Sequence, residues 1–177
     1  MRKLVEATFV SLNGVVGSQM EWATFDEENR VYAEATLDDV DAFLLGRVTY
    51  EQFAASFPKV KGNRYIERIN ALPKYVASTT LKEATWNATL LKGDLAAEVA
   101  KLKQQPGKTI MKYGTSLLDR TLVQHGLIDE FHLWYFPVVV HHGKRLFEGV
   151  NTSLLKLELV DSRRFKNGAI LNTYLTV

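Results

Sequence analysis

Cysteine is absent from the 177-residue sequence. The chain therefore has no disulfide, no thiolate metal ligand and no cysteine nucleophile. Neither sign of charge is in excess, because 22 Lys and Arg stand against 20 Asp and Glu, for a formal net charge of +2. Since this balance is mild and the basic residues are scattered, the sequence gives no indication of nucleic-acid binding.

Long hydrophobic runs are also absent. No apolar segment approaches the length that crosses a membrane, and no signal-type hydrophobic block follows Met1. We therefore expect a cytoplasmic protein that makes no contact with a membrane.

Several familiar motifs are missing as well. The chain has neither the three spaced glycines of the dinucleotide fingerprint nor a P-loop. It has no Ser-His-Asp order, and the adjacent His141 and His142 would point to opposite faces of a strand. We therefore predict no metal site.

What remains is an ordinary globular composition, with 46% hydrophobic and 24% charged residues. A chain of this length buries a substantial core in one domain. Because no linker, repeat or low-complexity segment interrupts it, we predict a single domain over residues 1–177.

One segment has the pattern of a βαβ unit. Residues 109–113 are a short β-branched and apolar run that stops at Gly114, as a buried strand does. Thr115 or Ser116 is placed to cap the helix that follows, and a second apolar run over 131–140 completes the unit.

The turn inside this unit is a candidate phosphate site. The first backbone N–H groups of a helix have no partner within it, and they lie at the positive end of its dipole. Gly114 lets the backbone come close to a ligand, and the hydroxyls of Thr115 and Ser116 add donors. The alternative is a plain strand-to-helix turn in which the glycine is needed only for steric reasons.

Two more strands end in small or hydroxylic residues. The apolar run 42–45 ends at Gly46 and Arg47, where Thr49 is placed to cap a helix, and the run 74–77 ends at Ser78. Ligands of open α/β sheets bind outside the carboxyl ends of the strands. A guanidinium at such an end can hold a phosphate at two points.

The other patterns complete an α/β domain. The predicted elements are strands over 4–12, 89–91, 154–160 and 169–177, and helices beginning near Asp26, Asn63 and Asp94. Asn167-Gly168 lies between the last two strands and is a strong hairpin signal. We predict a mostly parallel sheet with a C-terminal antiparallel hairpin.

Three groups of residues resemble a known family. Residues 44–51, LLGRVTYE, are similar to the G-R-x-T-[YW]-E signature of the dihydrofolate reductase-like fold. Residues 126–130 and 137–139, together with GKRLF at 143–147, resemble the branch that contains the reductase half of the bifunctional riboflavin-biosynthesis deaminase-reductase. The resemblance covers essentially the whole chain, and it implies a central sheet with helices on both faces.

The resemblance further implies NADPH as cofactor and hydride transfer as the chemistry. The cofactor-binding residues that it implies are Val16, Gly17, Gly46, Arg47, Thr49, Ser78, Thr79, Gly114, Thr115, Ser116 and Leu117.

A reductase also needs a proton source. Trp22 followed by Asp26 and Glu27 is similar to the dihydrofolate reductase run in which a Trp precedes a buried helix acid, so either acid could hold the substrate and assist protonation. The alternative is that both carboxylates only favour a helix N-terminus in water. Asn13, Trp22 and Tyr50 are the expected substrate-binding residues.

Three departures from the family pattern put turnover in question. Thr115 stands where the family often has a second glycine, and Asn13 stands where the branch usually has Asp. The pair His141-His142 replaces a usual pair of glycines.

We therefore expect an NADPH-dependent reductase of a small heterocyclic substrate, pterin- or pyrimidine-like, with a ribityl-bearing compound among the candidates. The alternative is a nucleotide- or ligand-binding protein that kept the fold without turnover. The resemblance also implies a homodimer, and the alternation of Phe131, Leu133 and Tyr135 is the candidate subunit contact.

Overall fold

The structure of the chain is a computed structural model, and it describes residues 1–150 and 154–177. In chain order the elements are β1 (Lys3–Ser11), β2 (Val15–Val16), α1 (Glu27–Thr36), β3 (Val40–Gly46), α2 (Arg47–Ser56), α3 (Arg64–Ala71), β4 (Lys74–Ala77), β5 (Ala88–Leu91), α4 (Leu95–Gln104), β6 (Thr109–Tyr113), α5 (Leu118–Gln124), β7 (Glu130–Phe136), β8 (Lys144–Arg145), β9 (Leu157–Arg164) and β10 (Ile170–Thr176).

The main sheet has the strand order β5-β4-β3-β6-β1-β7-β10-β9. Its pairs are parallel from β5 to β7, whereas β10 is antiparallel to both β7 and β9. The prediction of a mostly parallel sheet with a C-terminal antiparallel hairpin is confirmed. Gly168, at the hairpin turn, has a φ of 85°, a conformation that glycine adopts without steric cost.

Helices cover both faces of this sheet. On one face Leu4 of β1 and Ile110 of β6 belong to a core cluster that also contains Val99 of α4 and Leu122 of α5. On the other face the cluster contains Val5 and Met111, the next residues along the same strands, with Ile69 of α3. Because successive strand residues point to opposite faces, the apolar residues of β1 and β6 supply both cores.

A third cluster is largely aromatic and lies at the β7–β10 end of the sheet. Trp134 and Phe165 stack with ring centroids 4.9 Å apart, and Phe136 and Leu171 are buried with them. Side chains from the β1–α1 connection pack on this cluster, Trp22 and Phe25 among them. The aromatic cluster therefore attaches the connection to the sheet.

Most helix starts follow the sequence signals. Asp26, Asn63 and Asp94 each accept a hydrogen bond from a backbone N–H in the first turn of α1, α3 and α4. The predicted caps at Thr49 and at Thr115 or Ser116 are wrong. Gly46 precedes α2 in an extended conformation, and α5 begins only at Leu118.

The structure also corrects the predicted subunit contact. Phe131 and Leu133 are 1% and 2% exposed, and they pack in the core under α4 and α5. The reason is that β7 is an interior strand between β1 and β10, so its apolar side chains are covered within the chain.

Among the helices of residues 1–150 and 154–177, none has the length and apolarity needed to cross a membrane. The same residues contain no group of three metal-ligating side chains with the geometry of a metal site.

Candidate functional site

The three predicted strand ends lie side by side. In the sheet β3 lies between β4 and β6, and all three strands run in the same direction. A methyl group placed on Gly46 would lie 3.6 Å from Leu118 Cδ1 and 3.7 Å from Ser116 Oγ. The end of β3 therefore meets the turn between β6 and α5, as the sequence predicted.

The turn over residues 114–117, called here the 114–117 turn, is only partly free to bind a ligand. Gly114 has a φ of 67°, and its N–H donates to Ala7 O over 2.9 Å. Ser116 N donates to Asp119 Oδ2 over 2.7 Å, and Leu118 N donates to Ser116 Oγ over 3.2 Å. Within the described part of the chain, the amides of Thr115 and Leu117 make no hydrogen bond.

Three buried charged residues lie beneath this turn, and sequence reasoning missed them. Lys112 Nζ of β6 lies 3.0 Å from Glu6 Oε2 of β1 and 2.6 Å from Asp119 Oδ1 of α5, and each of these side chains is at most 5% exposed. We call Glu6, Lys112 and Asp119 the charge cluster. A signal was present in the sequence, because Glu6 and Lys112 each place a charge within a mainly apolar strand. That the two residues are register partners is seen only in the structure.

The electrostatics of the charge cluster follow from its burial. Burial raises the pKa of Glu6 to about 7, and the charge of Asp119 adds to this effect while Lys112 opposes it. Burial acts to lower the pKa of Lys112, but the charges of Glu6 and Asp119 outweigh it and leave the pKa raised. Lys112 is therefore a buried cation held by two acids.

Arg47 lies at the start of α2 on the same edge. Its guanidinium is 2.9 Å from Glu51 Oε2, one helical turn away, and both side chains are nearly half exposed. An exposed pair of this kind contributes about 0.3–0.5 kcal/mol. The guanidinium can therefore exchange Glu51 for another anion at little cost. Thr49, in the same turn, is half-buried.

The segment after β4 forms a compact turn. Ser78 Oγ accepts hydrogen bonds from Thr80 N over 3.2 Å and from Leu81 N over 3.0 Å, whereas Thr79 is exposed. Ser78 thus shapes the turn, and the Thr79 hydroxyl faces solvent.

The loop that contains Val16 and Gly17, two of the expected cofactor-binding residues, is held by a short pairing of β2 with β8. Val16 is buried in the core, whereas Gly17 is exposed with a φ of 87°. Trp22 Nε1 donates to Gly17 O over 3.1 Å, and the Trp22 ring packs edge-on against Phe136 at a centroid distance of 6.0 Å. The Trp22 side chain thus connects this loop to the aromatic cluster.

The two candidate acids lie at the N-terminus of α1. Asp26 Oδ1 accepts from Asn29 N over 2.9 Å, and Asn29 Oδ1 accepts from Asp26 N over 3.1 Å, which is a capping box. Glu27 is exposed. Both acids line a groove of about 610 Å³ between α1 and the β9–β10 hairpin, together with Arg163 and Lys166.

Two of the expected substrate-binding residues, Asn13 and Tyr50, are hydrogen-bonded to other parts of the chain. The Asn13 side chain makes two hydrogen bonds with the backbone of Val140, of 2.9 and 3.1 Å, and these tie the end of β1 to the segment after β7. Tyr50 is 5% exposed, and its hydroxyl accepts from Thr85 N over 2.8 Å. Both side chains therefore have structural partners.

Comparison with known proteins places this arrangement in a family. A sequence model described as the RibD C-terminal domain matches residues 2–171. The chain belongs to the RibD C-terminal domain family. A Bacillus subtilis (strain 168) protein described as "Uncharacterized protein YyaP" is 29% identical over 98% of this chain and 94% of its own.

Solved structures share the fold of this RibD C-terminal domain. A protein from Shewanella sp. PV-4 aligns with a TM-score of 0.75 at 20% identity, over 99% of both chains. A Thermotoga maritima diaminohydroxyphosphoribosylaminopyrimidine deaminase/5-amino-6-(5-phosphoribosylamino)uracil reductase aligns with a TM-score of 0.71 at 14% identity, over 99% of this chain and 57% of its own. Dihydrofolate reductase from Enterococcus faecalis, complexed with NADP(H), aligns with a TM-score of 0.66 at 12% identity, over 98% of this chain and 96% of its own. The dihydrofolate reductase-like fold is confirmed.

The residues of the 114–117 turn fit the phosphates of a dinucleotide. The Thr115 and Leu117 amides are donors without partners in the described chain, and Gly46 leaves space that a side chain would fill. Backbone N–H donors of this kind are suited to an anion such as a pyrophosphate.

Proposed function

We propose that this RibD C-terminal domain protein is an NADPH-dependent reductase that transfers hydride to a small heterocyclic substrate. The substrate class is pterin- or pyrimidine-like, and a ribityl-bearing pyrimidine is one candidate. Family membership supports the reductase class, because reductases are among the structural relatives.

The observation that carries this proposal is the close approach of Gly46 to the 114–117 turn. A methyl group placed on Gly46 would lie 3.7 Å from Ser116 Oγ. Gly46 and the small residues Gly114, Thr115 and Ser116 meet at the carboxyl edge of a parallel sheet, where nucleotides bind in open α/β folds. Arg47 lies beside them, and among the described residues its guanidinium pairs only with the surface carboxylate of Glu51.

The roles of this chain's residues follow from that placement. The Thr115 and Leu117 amides would bind the pyrophosphate, and Arg47 would bind the 2′-phosphate that distinguishes NADPH from NADH. Val16 and Gly17 would border the nicotinamide, which supplies the hydride when it is bound. Glu27, exposed in the groove beside α1, would hold the substrate and assist its protonation.

A non-catalytic ligand-binding protein is the second candidate, and a specific observation favours it. The Asp26 carboxylate is used by the capping box, and the Asn13 amide is used by Val140. A protein in which the polar side chains expected to bind substrate are hydrogen-bonded within the fold would bind a nucleotide but would not catalyse a reduction.

Fluorescence titration with NADPH and NADH tests the cofactor. We expect selective binding of NADPH, weakened about tenfold by Arg47→Ala because a charge-assisted phosphate contact is lost. The matched control is Arg164→Ala on the outer strand β9, which should bind as the unaltered protein does. Failure of both nucleotides to bind at high micromolar concentration would remove both candidate functions.

Turnover separates the two candidates. NADPH oxidation is followed with a panel of dihydropterins and ribityl-bearing or plain pyrimidines, for the unaltered chain and for Glu27→Gln. The reductase proposal expects oxidation that falls at least about tenfold in Glu27→Gln, while Glu98→Gln on α4 retains the rate. Tight binding with no oxidation across the panel would instead favour the ligand-binding protein.

A further inference from the structure

The charge cluster of Glu6, Lys112 and Asp119 contacts the 114–117 turn at two points. Lys112 Nζ donates to Gly114 O over 2.5 Å, and Ser116 N donates to Asp119 Oδ2 over 2.7 Å. The two anchors lie on either side of Thr115, whose amide is left without a partner in the described chain. The conformation of the turn therefore depends on side chains from β6 and α5.

We propose that the charge cluster is the positioning device of the 114–117 turn: it keeps the Thr115 and Leu117 amides available to a bound phosphate, and its net charge sets the affinity for that anion. The inference rests on the proposed function, because the anion is the pyrophosphate of a nicotinamide nucleotide. Glu6, Lys112 and Asp119 are positioning residues, since they act through the turn.

The charged groups that face Glu6 are few and all belong to the cluster. From β6 it faces Lys112, its register partner, and from α5 it faces Asp119. On its own strand the nearest polar group is the Thr8 hydroxyl, 3.4 Å away, and its register partner on β7 is the apolar Phe131. With both acids ionised, one negative charge is in excess, and that charge opposes an anion at the turn.

Proton uptake removes this excess charge near neutral pH. Burial raises the pKa of Glu6 to about 7, so the cluster is neutral below that pH and negative above it. Because linkage is reciprocal, an anion that binds better to the neutral cluster must also raise the pKa of Glu6. The affinity of the turn for a phosphate should therefore fall as the pH rises through 7.

The charge effect is tested by NADPH titration at pH 6 and pH 8. The proteins are the unaltered chain, Glu6→Gln, and the control Glu98→Gln, and ionisation of the ligand itself cancels in the ratios between them. We expect Glu6→Gln to bind as the unaltered chain does at pH 6 and about fivefold more tightly at pH 8, because it lacks the charge. The charge effect would be overturned if Glu6→Gln bound NADPH with the same affinity as the unaltered chain at both pH values, or more weakly than the unaltered chain at both. A purely structural role for Glu6 predicts weaker binding at both.

The positioning effect is tested on the Ser116 amide. In the free protein, hydrogen exchange measured by NMR should show this amide protected in the unaltered chain and exchanging at least about tenfold faster in Asp119→Ala. NADPH affinity should be about tenfold lower in Asp119→Ala at pH 6, where the cluster of the unaltered chain carries no excess charge. Asp119→Asn, a milder variant that keeps an oxygen acceptor, should retain most of the protection. Unchanged protection in Asp119→Ala, or lost protection with unchanged affinity, would overturn the proposal.

The two failures can be told apart. If the unaltered chain bound no nicotinamide nucleotide, the proposed function and the charge effect would both be wrong. Exchange of the Ser116 amide would still decide whether the cluster positions the turn, because it is measured without ligand. Should Asp119→Ala not fold, Asp119→Asn decides the same point: a neutral amide oxygen is a weaker acceptor than a carboxylate, so the Ser116 amide should exchange about two- to threefold faster than in the unaltered chain, and identical exchange would overturn the positioning role.

Discussion

Some residues at the candidate site also stabilise the fold, and Asp26 is an example. The Asp26 carboxylate accepts a hydrogen bond from the Asn29 amide, and the Asn29 side chain accepts one from the Asp26 amide. The reciprocal pair satisfies two N–H groups that the helix cannot satisfy itself. We therefore expect a substitution at Asp26 to lower the free energy of unfolding, whatever its effect on a reaction.

Replacement of Asp26 by Ala should lower the free energy of unfolding by about 1 kcal/mol, because the first turn of α1 loses its cap. Urea denaturation followed by circular dichroism measures the change. Asp26→Ser is the matched control, since a serine hydroxyl also caps a helix, and it should recover most of the loss. Equal losses in the two variants would show that the cap is not the cause.

At the scale of elements, α1 is held to the β9–β10 hairpin by the hairpin's own turn. Asn167 Nδ2 donates to Thr24 O over 2.8 Å and to Asn29 Oδ1 over 2.5 Å, and Asn167 Oδ1 accepts from Ala169 N over 3.0 Å. One side chain thus stabilises the Asn-Gly turn and binds the start of α1. Any ligand in the groove beside α1 depends on this junction.

Asn167→Ala should lower the free energy of unfolding by about 2 kcal/mol, because it leaves the buried Asn29 and the Thr24 carbonyl without these donors. Lys166→Ala is the neighbouring control; its backbone bond to Glu28 is retained, so a change within about 0.5 kcal/mol is expected. Both variants are measured by urea denaturation. A loss in Lys166→Ala as large as that in Asn167→Ala would locate the effect elsewhere in the turn.

At the scale of the whole molecule, β1 occupies the centre of the sheet, between β6 and β7. Its two neighbours come from the second half of the chain, so folding must bring both to the first strand. The charge cluster crosses one of these pairings, and its ionisation is therefore linked to global stability. Glu130 behaves differently. The hydrogen bond with His132 lowers the pKa of its carboxyl to about 2, although desolvation acts to raise that pKa.

This linkage predicts a pH dependence of stability. The folded pKa of Glu6 is raised, so its stabilising contribution is complete below the unfolded value near 4.5 and is lost as the pH rises through about 7. The pKa of Glu130 is lowered instead, so its contribution to the free energy of unfolding is lost only as the pH falls below about 4.5. That contribution therefore stays constant between pH 5 and pH 8. Urea denaturation between pH 5 and pH 8 should show stability falling in the unaltered chain and a flatter profile in Glu6→Gln. A parallel decline in both proteins would exclude Glu6 as the cause.

Several elements could be predicted from the sequence because their signals are local. The strand at 109–113 was predicted with the bounds that β6 has, and Asp94 was predicted as the cap of α4. The helix after Gly114 begins one to two residues later than predicted, because Asp119 accepts a hydrogen bond from the Ser116 amide and Ser116 Oγ accepts one from the Leu118 amide. Competing side-chain hydrogen bonds decide such boundaries.

The candidate site was predictable only in part. The adjacency of the ends of β3, β4 and β6 followed from parallel strands and is confirmed. The structural partners of Asn13 and Tyr50, on Val140 and Thr85, could not be predicted, because they lie far along the chain. The ligand roles proposed for these residues, for Arg47 and for the two acids remain predictions.

The sequence by itself determined the order of the helices and of the strands of the main sheet, the absence of cysteine chemistry, and the family. Hydrophobic periodicity, helix caps and turn glycines act within a few residues, so a linear pattern is enough to specify them. Only the tertiary structure decided that Glu6 and Lys112, 106 positions apart, meet Asp119 under the 114–117 turn. The physical reason is that a buried charge is tolerated only where folding supplies its partner, and that partner is set by strand order and register.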